Sequence, residues 1–275
     1  MILFSFYAMF AKGFNFSIDF KSGSKIEVSY ETVPTADAIK NTLDKSGFID
    51  AEIQMAGTND VIVKTRALTE PEHQTLSQLL STVGTKMEEI SFSSVGPTIG
   101  NELKSSAILS ILMVILGIVL FIAYAFRHVS EPISSWKYGV VTTLSLFHDI
   151  IVPAGIFIWF GKEIDTLFVV ALLTIMGVSV HDTIVVFDRI RENLRIGLSN
   201  DFFTTVGKSL EQTFTRSVNT SFTVMLVVAM LFFFGPASTK DFAFILWIGV
   251  FVGTYSSIFI ASPLLVVWEK WQNKA

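Results

Sequence analysis

The sequence predicts an α-helical membrane protein: a six-span bundle, its first span truncated, with a small external α+β ferredoxin-like domain. Three observations predict it. The chain is 51% hydrophobic and 16% charged, whereas soluble domains carry about 25% charged residues. Five apolar runs follow residue 103, near 106–126, 138–160, 165–187, 217–235 and 242–268, and each reaches the roughly 20 residues that cross a bilayer. Residues 12–103 hold no such run, yet carry 8 Lys/Arg and 13 Asp/Glu of the 20 and 24 in the chain, net −5 against +1 for the rest. The division is therefore 1–11, 12–103 and 104–275.

The first segment, MILFSFYAMFA, is apolar over 11 residues. That is roughly 17 Å of helix at about 1.5 Å per residue, short of the hydrocarbon core. It lacks the basic start and small-residue cleavage site of a signal peptide. Residues 12–103 must nevertheless reach the far side of the membrane, so 1–11 is expected to be part of a first membrane helix.

Within 12–103, SKIEVSYE alternates as a strand does, and PTADAIKNTLDKSG reads as a helix with Pro at its start and Gly47 past its end. AEIQMAG and DVIVKTR flank a GTND turn. EPEHQTLSQLLSTVG is a second helix and KMEEISFSS a last strand. The order β-α-β-β-α-β is the ferredoxin-like pattern.

The later runs read as helices despite their Ile, Val and Phe, because in lipid every backbone group must be satisfied within the segment. Orientation follows the short-loop lysines and arginines. The cytoplasmic loop 188–216 holds Arg189, Arg191, Arg195, Lys208 and Arg216; loop 127–137 holds Arg127 and Lys137; the tail holds Lys270 and Lys274. The opposite loops, 161–164 and 236–241, hold one lysine each. Residues 12–103 are thus expected outside and the C-terminus inside. DFFTTVGKSLEQTFTR, at 201–216, is amphipathic and is expected to lie along the cytoplasmic interface.

Candidate chemistry sits inside the spans. Asp182 lies about 17 residues in from the outer end of its span at 165, Arg216 about 19 from the outer end at 235, and Asn219 about 16, which at roughly 1.5 Å per residue is one level of the inner membrane. His148 and Asp149 lie about 10 residues into a span of 23, near the midplane. An ionised aspartate at that depth costs about 2.5–3.5 kcal/mol on insertion scales and is tolerated when protonated, paired or wetted. A carboxyl that alternates between a dry site and a nearby arginine takes up and releases a proton. Asp182 with Arg216 supplies both halves of such a relay. His181, Asn219, His148 and Asp149 are possible modulators, and a static His148–Asp149 hydrogen bond explains that pair equally well.

Other classes are excluded or disfavoured. With no cysteine there is no disulfide or thiolate site. Adjacent residues on a helix point about 100° apart, so His181 and Asp182 do not share a ligand face, and no HExxH spacing occurs; no metal and no other cofactor is expected. No phosphate loop GxxxxGK[ST] points to ATP, no nucleophile–base constellation points to an enzyme, and no basic, aromatic-laced patch points to nucleic acid. Gly249-Val-Phe-Val-Gly253 allows close helix approach, either as packing within the chain or as a sliding surface or partner interface.

HDTIVVFDRIREN at 181–193 and TRSVNTS at 215–221 resemble the SecD/SecF family of protein-export membrane proteins. So do FAFILWIGVFVGTYSSIFIASPLL, the outer stretch GFNFSIDFKSGS with Gly13, Asp19 and Gly23, and PTIGNEL. The resemblance covers about residues 12 to 268. It implies a bundle of the resistance-nodulation-division superfamily in the bacterial cytoplasmic membrane, among lipid. It implies complex formation with SecD, work beside the SecYEG translocon on translocating preproteins, and use of the proton motive force to assist export. It implies a proton site whose carboxylate matches Asp182 and whose arginine matches Arg216, with a further carboxylate from SecD. Position 181 is His where the family usually has Asn, and KSGS stands where it usually has TGGT. The alternative, a proton-coupled efflux transporter of small molecules, would share the bundle, but an outer domain of about 90 residues is small for a substrate pocket.

Overall fold

A short apolar helix, α1 (Ile2–Lys12), opens the computed structural model, which describes residues 1–56, 58–127 and 135–272. Two compact units follow from the chain's contacts: one of Met1–Asn15 with Ile108–Ala275, the other Phe16–Ala107. Gly57 of the expected GTND turn, Lys274 and most of the expected loop 127–137 lie outside the described residues.

The smaller unit starts with a single helical turn, α2 (Ile18–Lys21), then runs β1 (Gly23–Ser29), α3 (Ala36–Lys45), β2 (Glu52–Ala56), β3 (Asp60–Thr65), α4 (Glu70–Val83) and β4 (Glu88–Val95). The strands form one antiparallel sheet in the order β2-β3-β1-β4, the expected ferredoxin-like arrangement. Alternation in KIEVSY fixes the register: Ile26 faces Val63 and Phe92, and Val28 faces Val61. Those side chains meet Ile39 and Leu43 of α3 and Leu76 and Leu80 of α4 in one core. Tyr30 closes it, its hydroxyl donating to the Leu80 carbonyl at 3.1 Å; burial pushes that phenol up to about 12. Ser24 ties three segments: its hydroxyl bonds Ser94 Oγ at 2.7 Å and accepts from the Leu68 amide at 2.9 Å.

The larger unit is α-helical: α5 (Pro97–Ala125), whose first turns belong to the smaller unit, α6 (Ser135–Trp159), α7 (Thr166–Ile196), α8 (Phe202–Phe234), α9 (Ala237–Ser256), a π-helical turn at Ser257–Ala261, and α10 (Ser262–Gln272). Among the described residues five helices are long and apolar enough to cross a membrane, taking Ser238–Gln272 as one. Of the most apolar 18-residue window, 67% is buried in α6 but 6% in α5, so α6, α7 and α9 form the centre while α5 presents its apolar surface outward. α1 packs on α6 so closely that a Cβ at Gly155 would overlap Ser5.

The structure corrects one expectation. Residues 188–216 are not a loop with a separate interfacial helix: α7 continues to Ile196 and α8 begins at Phe202. The turn between them is short because its ends are capped. Gly197 takes the left-handed conformation (φ 72°) that a side chain resists, and Asp201 accepts from the Thr204 amide at 2.8 Å. Of the charged residues that suggested a loop, Arg195 and Lys208 are exposed on these two helices, while Arg189 and Arg191 are partly buried.

Two predictions concern the smaller unit. Ser22 sits at φ 69°, ψ 139°, a conformation that favours glycine. Ser22→Gly is expected to stabilise the unit by about 1 kcal/mol, or roughly 4 °C in melting temperature, read by thermal unfolding of the full chain. Glu72 accepts from Arg66 and from the Thr69 amide and hydroxyl, which hold its carboxyl down at about 2 against 4.5 ordinarily. A depressed carboxyl contributes stability above the unfolded value that is lost as pH falls through the folded one. The wild type should therefore lose stability between about pH 4.5 and 2 more steeply than Glu72→Gln in acid titrations.

Candidate functional site

Asp182 lies on the face of α7 that packs into the bundle, with Ser179, Thr183, Val186 and Asn193. It is 3% exposed, and its Oδ2 accepts from Ser221 Oγ of α8 at 3.1 Å. Thr254 of α9 in turn donates to Ser221 Oγ at 2.5 Å. The carboxylate is thus held by hydroxyls where three helices meet.

Asp149, on α6, is fully buried. Its Oδ1 meets His148 Nδ1 at 2.9 Å, and its Oδ2 accepts from Ser256 of α9 at 2.7 Å and from Ser179 of α7. Ser145 donates to Ser256 at 3.2 Å. Three donors on two oxygens make a closed arrangement. The sequence contributes one more feature here: Pro153 has no N–H, so the Asp149 carbonyl lacks its helical donor.

Both carboxylates depend on one turn of α9. In Gly253-Thr-Tyr-Ser-Ser257, Thr254 serves the Asp182 side and Ser256 the Asp149 side, while Ser257 meets Thr183 Oγ1 at 2.9 Å. The approach is possible because Gly249 abuts Ile175 and Gly253 abuts Ser179, so a Cβ at 249 would overlap the Ile175 side chain. The GVFVG motif is therefore packing within the chain. α9 passes into its π-helical turn at Ser257, an irregularity that often marks functional sites.

The other sequence-predicted residues fall elsewhere. His181, Arg216 and Asn219 are exposed on their helices. Among the described residues no ion pair joins Arg216 to Asp182. His148 is buried with Asp149. Gly13 ends α1 at φ 70°, and Asp19 lies in α2, whose cap Ser17 accepts from its amide at 3.2 Å. Gly23 leaves no room for a side chain: a Cβ there would stand 2.7 Å from the Thr65 carbonyl oxygen. Gly23 therefore shapes the smaller unit's packing.

Sequence reasoning missed Ser179, Ser221, Thr254 and Ser256. Ser221 ends the TRSVNTS block, and Thr254 and Ser256 follow the second glycine of GVFVG, so small hydroxyls beside each motif were the available signal.

Comparison with known proteins agrees with this architecture. The family model for the C-terminal part of protein export membrane protein SecD/SecF matches residues 75–271, and the SecD/SecF GG motif matches 7–32. The chain is 42% identical over 273 residues to protein translocase subunit SecF of Thermobaculum terrenum, covering 94% of this chain and 85% of that protein. Over 268 residues it is 34% identical to protein translocase subunit SecDF of Thermus thermophilus, covering 95% of this chain but 35% of that longer one. The crystal structure of SecDF from Thermus thermophilus superposes with a TM-score of 0.85 at 34% identity, over 98% of this chain and 36% of that one. SecDF in its super-membrane-facing form gives 0.69. This chain belongs to the SecD/SecF family of protein-export membrane proteins.

Proposed function

We propose that the protein is an accessory subunit of the Sec translocon that couples the proton motive force to protein export, with Asp182 as the proton carrier. The observation that carries the reading is Asp182 itself: a carboxylate 3% exposed within an apolar span, held by a neutral hydroxyl and not locked in an ion pair among the described residues. Such a group can gain and lose a proton with little rearrangement around it. An aspartate in an apolar span is costly, and such residues mostly mark functional sites.

The membership of the chain in the family supports the export role, and the fused relative named SecDF supports SecD as the partner. The face of α8 that exposes Arg216 and Asn219, with His181 of α7, is polar at membrane depth. Polar groups there call for protein or water beside them, and in this reading SecD supplies that environment. SecYEG and the translocating preprotein are the further partners. In this reading the protein sits in the bacterial cytoplasmic membrane, with residues 12–103 outside and the C-terminus inside, an orientation supported by the excess of Lys and Arg in 127–137, 188–216 and the C-terminal tail.

Asp149 has a different role in this reading. Its three donors and full burial suit a fixed anchor that positions α9 against α6 and α7. Arg216 serves Asp182 when the bundle rearranges.

The test is export of a signal-bearing precursor in cells depleted of the protein and complemented by wild type or by Asp182→Asn at equal membrane levels. Asp182→Asn is expected to abolish the force-dependent part of export. Equal export by both would leave the subunit a scaffold and overturn the reading.

A further inference from the structure

Along α8 a small hydroxylated residue recurs every four positions: Thr205, Ser209, Thr213, Ser217 and Ser221. All five are buried. Residues four apart are neighbours on a helix surface, so the five form one ridge that winds about 40° around α8 at each step. Two of them tie it to α7. Ser221 Oγ donates to Asp182 Oδ2 at 3.1 Å, and Ser209 Oγ accepts from Asn193 Nδ2 at 2.8 Å. Asp182 and Asn193 are eleven residues apart on α7, so the seam between these two rungs runs about 17 Å at roughly 1.5 Å per residue.

Ser217 lies between the rungs. It is 2% exposed, and among the described residues its hydroxyl has no hydrogen-bond partner. Its neighbours on the ridge do have partners: Thr213 donates to the Ser209 carbonyl at 2.9 Å, and Ser209 to the Thr205 carbonyl at 2.7 Å. An alanine at 217 would allow the same close packing without burying an unmet hydroxyl. Hydroxyls one turn away on either side, about 6 Å along the axis, can meet Ser217 through a water, which needs two to four polar partners.

The far end of the seam is polar and reaches solvent. Asn193 Nδ2 also donates to Gln212 Oε1 at 2.9 Å, which accepts from Arg189 Nε at 2.6 Å, and Arg189 pairs with the exposed Glu192. By the distribution of Lys and Arg this end is cytoplasmic.

We infer that the seam between α7 and α8 is the inner half of the proton path, in which water held at Ser217 links Asp182 and Ser221 to Thr213, Ser209 and the cytoplasm. The inference rests on Asp182 being the proton carrier. When Asp182 is protonated, its bond to Ser221 reverses and the carboxyl donates. The carboxyl O–H then breaks as its proton joins Ser221 Oγ, while the proton of Ser221 moves to the water. The water passes one of its own protons to Ser217, and further waters between the hydroxyls carry the transfer on to Thr213, to Ser209 and to cytoplasmic water. Each intermediate oxygen loses one O–H bond and forms another. Asp182 is left as carboxylate, and one proton enters cytoplasmic water.

The experiment uses membrane vesicles carrying the full chain with its native partners, with proton entry after an imposed pH step followed by a dye in the lumen. Ser217→Val fills the site, Thr213→Val removes a hydroxyl at constant shape, and Ser217→Thr keeps the hydroxyl. The part of the flux that Asp182→Asn abolishes is expected to fall roughly tenfold or more in both valine variants and to stay within about twofold of wild type in Ser217→Thr. If Ser217→Val fails to reach the membrane, Thr213→Val carries the test alone. Wild-type flux in the valine variants, with Asp182→Asn still inactive, would overturn the path and leave the carrier in place. Unchanged flux in Asp182→Asn would overturn both.

Discussion

Two carboxylates buried in an apolar bundle set the terms for everything around them. Each must be hydrogen-bonded, since a buried polar group left unmet costs about 1–3 kcal/mol, and a charge more. In this chain the donors to the Asp oxygens are chiefly small hydroxyls: Ser179 and Ser256 at Asp149, Ser221 at Asp182. Short side chains reach across only if the helix backbones come close. Gly249 and Gly253 provide that closeness against Ile175 and Ser179 of α7. Polarity and packing are therefore a single constraint, and the α9 turn from Gly253 to Ser257 satisfies both sides of it.

The same turn gives the two carboxylates different characters. Asp149 is fully buried and engages three donors, including His148. Among the described residues Asp182 is met by the neutral hydroxyls of Ser221, at 3.1 Å, and Thr254, and its chain neighbour His181 is exposed, as are Arg216 and Asn219 on α8. A closed shell suits a position that holds helices in register. A lighter shell beside a polar face suits a position whose proton comes and goes. The π-helical turn beginning at Ser257 gives α9 a local irregularity directly after Ser256, of a kind that frequently occurs at functional sites.

Much of the fold was legible in the sequence. Alternation in KIEVSY and DVIVKT, punctuated by Pro34 and Gly47, gave the small sheet and its helices, and apolar length gave the spans. The helical extensions of α7 and α8 were not legible, because a run of charges reads equally as a loop or as the solvated face of a helix. The site was half legible. Asp182 and Asp149 stood out as charges in hydrocarbon. Their serine and threonine partners did not, since small hydroxyls are common in membrane helices and which ones meet depends on the rotation of four helices about their axes. The π-helical turn also left no mark in composition, as it inserts its register change among ordinary Ile, Phe and Ala.

The most direct measurement is infrared difference spectroscopy of the membrane-embedded complex through a pH step, with aspartate carboxyls isotopically labelled. The account predicts a protonated carboxyl band that appears and disappears with pH, is absent in Asp182→Asn and persists in Asp149→Asn. A band that survives Asp182→Asn and is lost in Asp149→Asn would contradict it, making the buried anchor the carrier.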